Sequence, residues 1–212
     1  HAASGLSLFL LVAPGFLPGC LNPTGGPDPQ LSDDDPHGLV TAVQRERTLP
    51  EALVPVGPLP SAQESRELLR ALRSTRRVAN IERMTPLRQF VVDHPSSPWR
   101  AALLLNLGLN DNRFGYYSQA LEDFESAWAL LEPDRASEAT PLINRTASEL
   151  ATLYARLGRV EPLTDLLKQL ETRSFSGTAA TRILAATEAR NLMRADPGAS
   201  LLCGPTAVAS LR

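Results

Sequence analysis

Two glycines, Gly115 and Gly158, each lie between apolar runs that have the spacing of amphipathic helices. Leucines at steps of three and four residues share one face of a helix, and glycine readily forms the turn after a helix. The repetition predicts helical hairpins that stack side by side, because a single hairpin cannot bury its apolar face alone. The second set of apolar positions is Leu150, Tyr154, Leu157, Leu163, Leu166, Leu167 and Leu170.

The composition also favours helices. Tryptophan, tyrosine and phenylalanine supply only 5% of the 212 residues, while apolar residues as a whole reach 43%. Alanine and leucine are strong helix formers, whereas strands favour aromatic and β-branched residues. We therefore predict an all-α fold. The formal net charge of −2 argues against a surface tuned for nucleic acid, so we expect no nucleic-acid partner.

The first hairpin resembles the tetratricopeptide repeat, whose signature is W-x2-L-G-x2-Y…A-x3-F…P. Most of its positions have a matching residue, although Asp111 stands where the repeat has tyrosine. The resemblance implies a short, irregular solenoid of helical hairpins that binds proteins. The residues at the signature positions are Leu104, Leu107, Gly108, Ala120, Phe124 and Pro133, with Gly115 and Tyr117 at the turn and Tyr154 and Gly158 in the second unit.

Packing explains these residue types. Gly108 and Ala120 are small where the two helices must approach, and Phe124 fills the space between the helices. Asp111 and Asn112 predict that the first helix ends near Asn110, which leaves a long turn to Gly115. The second helix then starts at Tyr117.

Other helices are predicted on either side of these hairpins. Ser61 is an N-cap candidate, with Glu64 three residues later. Two short helices meet at the break 94–98, and a last helix, about 178–194, closes the array. The extra residues between the hairpins fall between Glu132 and Thr140. We assign residues 61–196 to this tetratricopeptide-like helical domain.

Residues 1–20 resemble an export signal. The apolar run 6–13 has the length of a secretory h-region and is too short to span a bilayer. Leu17-Pro18-Gly19-Cys20 resembles the bacterial lipobox, which implies lipidation of Cys20 and membrane anchoring. The protein would then be exported to the cell envelope, either periplasmic or membrane-tethered. The alternative is a buried strand or helix end in which Cys20 is an inert thiol.

Residues 21–60 have the composition of a linker. They contain eight prolines, the pair Gly25-Gly26 and an acidic run, and apolar periodicity is confined to a short stretch around 39–43. Such a segment buries too little apolar surface to offset its chain entropy. We predict a disordered Pro-rich region, either a tether or a segment with no tethering role.

Residues 197–212 resemble the start of a papain-like cysteine peptidase of the bacteriocin-leader-processing kind. Cys203-Gly204-Pro205 matches the nucleophile segment, and a cysteine at a helix N-terminus has a lowered thiol pKa. The order of parts resembles exported bacterial proteins that join tetratricopeptide repeats to such a domain, some with Rhs-type YD repeats. The printed chain has no histidine after Cys203, so catalysis would require a chain that continues. Together with the missing initiator methionine, this suggests a fragment. Otherwise Cys203 is a small apolar residue of a C-terminal helix.

These patterns favour a non-catalytic protein-interaction scaffold whose partner is a protein or peptide. The alternatives are the N-terminal accessory part of a cysteine peptidase, with Cys203 as nucleophile, and a structural lipoprotein of the envelope. His1, His37 and His94 have no helical spacing to one another or to a cysteine, so we expect no metal site. None of the three functions implies a cofactor.

Overall fold

The computed structural model describes residues 35–76, 84–131 and 139–196, which all belong to one compact unit, Leu31–Arg212. The described residues form eight α-helices with hairpin contacts, so the prediction of an all-α fold is confirmed. Each helix packs on the next one along the chain where both are described, and α6 also packs on α8. The helices are α1 (Pro36–Arg45), α2 (Ala62–Thr75), α3 (Thr85–Asp93), α4 (Arg100–Phe114), α5 (Tyr117–Leu131), α6 (Thr140–Arg156), α7 (Val160–Leu170) and α8 (Gly177–Ala195).

Helix α1 lies inside the segment that the sequence predicts to be a disordered linker. Asp35 caps it by accepting hydrogen bonds from the backbone N–H groups of His37 and Gly38, both at 3.1 Å. Leu39 and Val43 are buried against the rest of the core. The part of residues 21–60 that the structure describes therefore differs from the predicted linker. The short apolar stretch at 39–43 suffices because α2 supplies the surface on which it packs.

Helix α2 begins where the sequence predicts. The Ser61 hydroxyl accepts a hydrogen bond from the Glu64 backbone N–H at 3.1 Å, which satisfies one free donor of the first turn. Leu68 and Leu72 are fully buried and pack toward α1 and α3. The helix pair α3 and α4 also lies as predicted, with the break at residues 94–99 and a fully buried Trp99 just before α4.

Helices α4 and α5 form the most closely packed hairpin of the described chain. Gly108 is the point of closest approach, since a Cβ atom placed there would lie 2.6 Å from the ring carbons of Phe124. Gly115 ends α4 in the left-handed region with φ +84°, which costs glycine little. Helix α4 continues to Phe114, past the predicted end near Asn110. The predicted long turn is therefore wrong, and Asp111 lies inside the helix.

Helices α6, α7 and α8 complete the described array. Gly158, with φ +67°, lies in the turn between α6 and α7. Helix α8 is close to the predicted last helix, but it buries only Ala186 and Met193 and leaves Leu184 and Leu192 exposed. Pro133 and the predicted insertion between Glu132 and Thr140 fall in 132–138, outside the described residues.

Candidate functional site

A non-helical stretch of chain, residues 49–56, lies on helix α4. The side chain of Asn106 holds it by its main chain: its Oδ1 accepts from the Glu51 backbone N–H at 3.0 Å, and its Nδ2 donates to the Glu51 carbonyl at 3.3 Å. The Val56 N–H donates to the carbonyl of Pro98, just before α4, at 2.8 Å. Asn106 is fully buried. A carboxamide that pairs with the main-chain N–H and C=O of one residue recognises the backbone and does not depend on the side chain.

The side chains of the same stretch make further contacts. Leu53 is 3% exposed and belongs to the hydrophobic core, and Leu49 and Val56 pack against it. The Glu51 carboxylate lies 3.0 Å from Arg145 Nε on α6. Glu51 therefore contacts two helices, with its main chain on α4 and its carboxylate on α6.

The ion pairs continue from α6 to α8. Glu149 is 7% exposed at its side chain and pairs with Arg145 at 3.2 Å and with Arg182 of α8 at 3.3 Å. Arg145 and Glu149 are four residues apart, so they occupy the same face of α6. The close packing of α6 on α8 brings Arg182 to that face. We call Asn106, Arg145, Glu149 and Arg182 the polar face.

Charges on the polar face balance while residues 49–56 are in place. Two arginines, Arg145 and Arg182, face two carboxylates, those of Glu51 and Glu149. Without Glu51 the remaining three ionic groups carry one net positive charge. The uncovered face would therefore favour a carboxylate from another source.

A second ionic group joins α3, α4 and α5. Arg88 of α3 donates to Asp123 of α5 at 2.9 Å and also pairs with Asp111 of α4. The two aspartates are 2% and 7% exposed, respectively for Asp111 and Asp123. Burial raises the pKa of Asp123 to about 6, despite the guanidinium beside it, and burial also raises the pKa of Asp111. We call Arg88, Asp111 and Asp123 the buried cluster.

A cleft of about 280 Å³ opens between α5, α6 and α7. Trp128 and Tyr154 form part of its wall, and the indole N–H of Trp128 donates to Gln169 at 3.0 Å. Burial raises the pKa of Tyr154, whose hydroxyl donates to Glu125 at 2.9 Å. Trp128 and Tyr154 thus have paired polar groups, and the cleft lies between the α4–α5 and α6–α7 hairpins.

The residues at the predicted repeat positions lie mainly in the α4–α5 hairpin. Gly108, Ala120 and Phe124 meet where the two helices cross, and Leu104 and Leu107 are buried in the same core. These residues pack against one another in the core. Their side chains have no hydrogen-bonding groups with which to bind residues 49–56 or the polar face. Tyr117 begins α5, and Tyr154 lies on α6.

Cys20 and Cys203 lie outside the described residues, so lipidation and a nucleophilic role stay predictions. Within 35–76, 84–131 and 139–196, no group of three or more His, Cys, Asp or Glu side chains is placed to hold a metal ion. No helix in the described part of the chain combines the length and the hydropathy that a bilayer crossing requires.

Sequence reasoning missed the residues of the polar face. Asn106 was detectable as a single polar residue inside the apolar run 101–107, and Arg145 with Glu149 as an ion pair at helical spacing. Their connection to Glu51 was not detectable, because the two partners of the Asn106 contact are 55 positions apart in the chain.

Comparisons with protein-family models, with curated proteins and with solved structures found no match to this chain.

Proposed function

We propose that the protein is an interaction scaffold that binds an extended peptide of a partner protein on the polar face. The observation that carries this proposal is the main-chain pairing of Glu51 with Asn106, by which the helical array already holds one non-helical segment. A surface that satisfies the backbone of one such segment has the chemistry to satisfy another.

Main-chain hydrogen bonds supply affinity that does not depend on sequence, and side-chain contacts supply selectivity. On this face the selective contacts are the ionic group at Arg145 and the apolar site that holds Leu53. Both are close to Asn106, since all three contact residues 49–56. The ligand class that fits is therefore an unfolded or extended protein segment.

The arrangement of helices supports the same proposal. The polar face takes its residues from α4, α6 and α8, which follow one another at every second helix. Here α6 packs directly on α8, and Glu51 joins α4 to α6 through its main chain and its carboxylate. In arrays of helical hairpins, the surface formed by alternate helices binds extended ligands. We propose on this basis that the array is a short, irregular solenoid of the tetratricopeptide type.

The predicted export signal restricts the partner. If residues 1–20 direct the chain out of the cytoplasm, the bound peptide belongs to a protein of the cell envelope or to an exported protein. Lipidation of Cys20 would hold the scaffold at the membrane surface. Labelling with a fatty-acid analogue tests this part separately, and the label is expected to disappear in a Cys20→Ser variant.

The test of the proposed function is selection of peptides from a random display library on the full-length protein. The selected peptides are then synthesised with a photoreactive residue and cross-linked. We expect cross-links on α4, α6 and α8, with dissociation constants in the micromolar range typical of peptide recognition. Cross-links confined to α5 and α7, or a selection without binders, would contradict the proposal.

A further inference from the structure

We propose that residues 49–56 are an internal occupant of the polar face, and that a partner binds by replacing them with a segment of similar chemistry. The partner segment has an acidic residue, any residue and then an aliphatic residue, in the non-helical conformation of the internal segment. This inference rests on the proposed function and names the class of peptide that the site takes. It also predicts that residues 49–56 cover the polar face until they leave it.

The two ends of the segment are anchored outside the polar face. On the N-terminal side, Glu46 pairs with Arg73 at 3.4 Å and with Arg76 at 3.1 Å on α2. On the C-terminal side, Ser61 caps α2 and Pro60 is buried. Residues 49–56 can therefore leave the face as a loop while α1 and α2 stay packed. Departure costs the local contacts and not the fold.

Departure breaks a limited set of contacts. They are the two main-chain bonds of Glu51, the main-chain bond of Val56, the ion pair with Arg145, the burial of Leu53 and the packing of Leu49 and Val56 against the core. A partner that repeats these contacts replaces each of them. The internal segment is tethered and competes at a millimolar effective concentration, so a partner displaces it only through contacts beyond these.

The spacing of Glu51 and Leu53 defines the ligand. Glu51 and Leu53 are two positions apart, and both side chains meet the helical array. Glu51 meets Arg145, and Leu53 is buried in the core. Pro50 and Pro55 flank this pair and restrict the backbone of the free segment, which lowers the entropy lost on binding. A partner with proline near the same positions gains the same advantage.

The arginines of the polar face require a negative charge at the first of the two peptide positions. Once Glu51 leaves, Arg145 and Arg182 share the single carboxylate of Glu149. A carboxylate restores the balance, whereas a lysine adds a third cation next to two arginines. The acidic position is therefore the one at which the face discriminates most between peptides.

The probe for the experiment is a fluorescein-labelled synthetic peptide of residues 47–59, titrated into the full-length protein and followed by fluorescence anisotropy. The tethered copy competes at an effective concentration in the millimolar range, so binding to the wild type is expected to be weak. Leu53→Ala in the protein weakens the tethered copy and changes no residue of the polar face, and we expect it to raise the affinity for the peptide about tenfold or more. Glu51→Ala in the protein gives a smaller rise and serves as a second variant that leaves the core intact.

Changes in the peptide test the acidic position. A Glu51→Lys peptide is expected to bind the Leu53→Ala protein at least tenfold more weakly than the unchanged peptide. An Arg145→Glu protein is expected to reverse the order of the two peptides, and this ratio is independent of how tightly the tethered copy binds. Arg194→Glu, on an exposed position of α8, is the matched control and should leave the order unchanged.

Equal affinity of the peptide for wild type, Leu53→Ala and Glu51→Ala proteins would overturn the inference, as would equal binding of the two peptides. These failures differ from failure of the proposed function. If library peptides cross-link to α4, α6 and α8 with an affinity that Leu53→Ala does not change, the scaffold function stands and the internal occupant does not. If library peptides do not reach these helices, the proposed function itself fails.

Discussion

The buried cluster and the polar face are both groups of arginines and carboxylates, yet they differ in how their charges are shared. In the buried cluster, one arginine serves two aspartates that are almost inaccessible to solvent. On the polar face, two arginines share Glu149, and Arg145 also pairs with Glu51 of residues 49–56. Loss of the arginine in the buried cluster therefore leaves two buried carboxylates without a cation. Loss of either arginine from the polar face leaves Glu149 paired with the other one.

Under the proposed function, this difference separates a structural role from a binding role. The buried cluster connects α3, α4 and α5, which are consecutive, so its charges help to fix how these helices pack. The polar face connects α6 and α8 to a segment that belongs to neither. Because a carboxylate of a partner can pair with Arg145 in place of Glu51, the contact between the polar face and residues 49–56 can be exchanged.

The largest effect is expected for Arg88→Ala. It leaves Asp111 and Asp123 buried without their cation, and an uncompensated buried charge is strongly destabilising. We expect the free energy of unfolding to fall by about 2 to 4 kcal/mol at pH 7, measured by urea denaturation. Arg88→Ala combined with Asp111→Asn and Asp123→Asn should recover part of the loss. A loss below about 0.5 kcal/mol in the single variant would contradict the role of the cluster.

Packing in the same region is tested by Gly108→Val. The Cβ of any larger residue meets the ring of Phe124 at 2.6 Å, and the surrounding core leaves little room for the ring to move. We expect a loss of about 2 to 3 kcal/mol in the free energy of unfolding. The matched control is Ala185→Val on the exposed side of α8, which should cost about 0.5 kcal/mol. Similar costs at the two positions would show that the hairpin is not closely packed.

The pH dependence of stability sharpens the contrast. The pKa of Asp123 is raised to about 6 in the folded protein by burial, whereas an unfolded aspartate has a pKa of about 3.9. The folded state therefore binds this proton more tightly, so the contribution of Asp123 is fully present below about pH 4 and is lost as pH rises to about 6. We expect wild type to lose about 1 to 2 kcal/mol more than Asp123→Asn between pH 4 and pH 6.5, measured by urea denaturation. Parallel stability curves would contradict the raised pKa.

The smallest effect on stability is expected for Arg145→Ala. Glu149 keeps its ion pair with Arg182, and Glu51 is already 35% exposed at its side chain. We expect a loss of at most about 1 kcal/mol in the free energy of unfolding, in contrast to Arg88→Ala. A loss as large as that of Arg88→Ala would remove the distinction between the two groups of charges.

Much of the helical framework was predictable from local patterns. The start of α2 at Ser61, the break before Trp99 and the turn at Gly115 depend on residues close in sequence, and their signals are caps, prolines and glycines. The end of α4 was not predictable in this way. Asp111 is unfavourable inside an isolated helix, but Arg88, from another helix, supplies the partner that keeps it there.

The candidate site was less predictable than the fold. The composition of 21–60 predicts disorder, and yet Leu53 is buried and Glu51 is paired, because α4 and α6 offer groups that match this stretch. Such a match depends on where distant helices place Asn106 and Arg145. Local composition contains no information about that placement.

The most direct test of the account is amide hydrogen exchange of the full-length protein at several low urea concentrations. The central claim is that residues 49–56 leave the polar face while the helical array stays folded. The account predicts that the Glu51 and Val56 amides exchange about a hundredfold faster than those of Leu103 and Leu105 in α4, at rates almost independent of urea. Exchange of all four amides at the same rate, with the urea dependence of global unfolding, would contradict it.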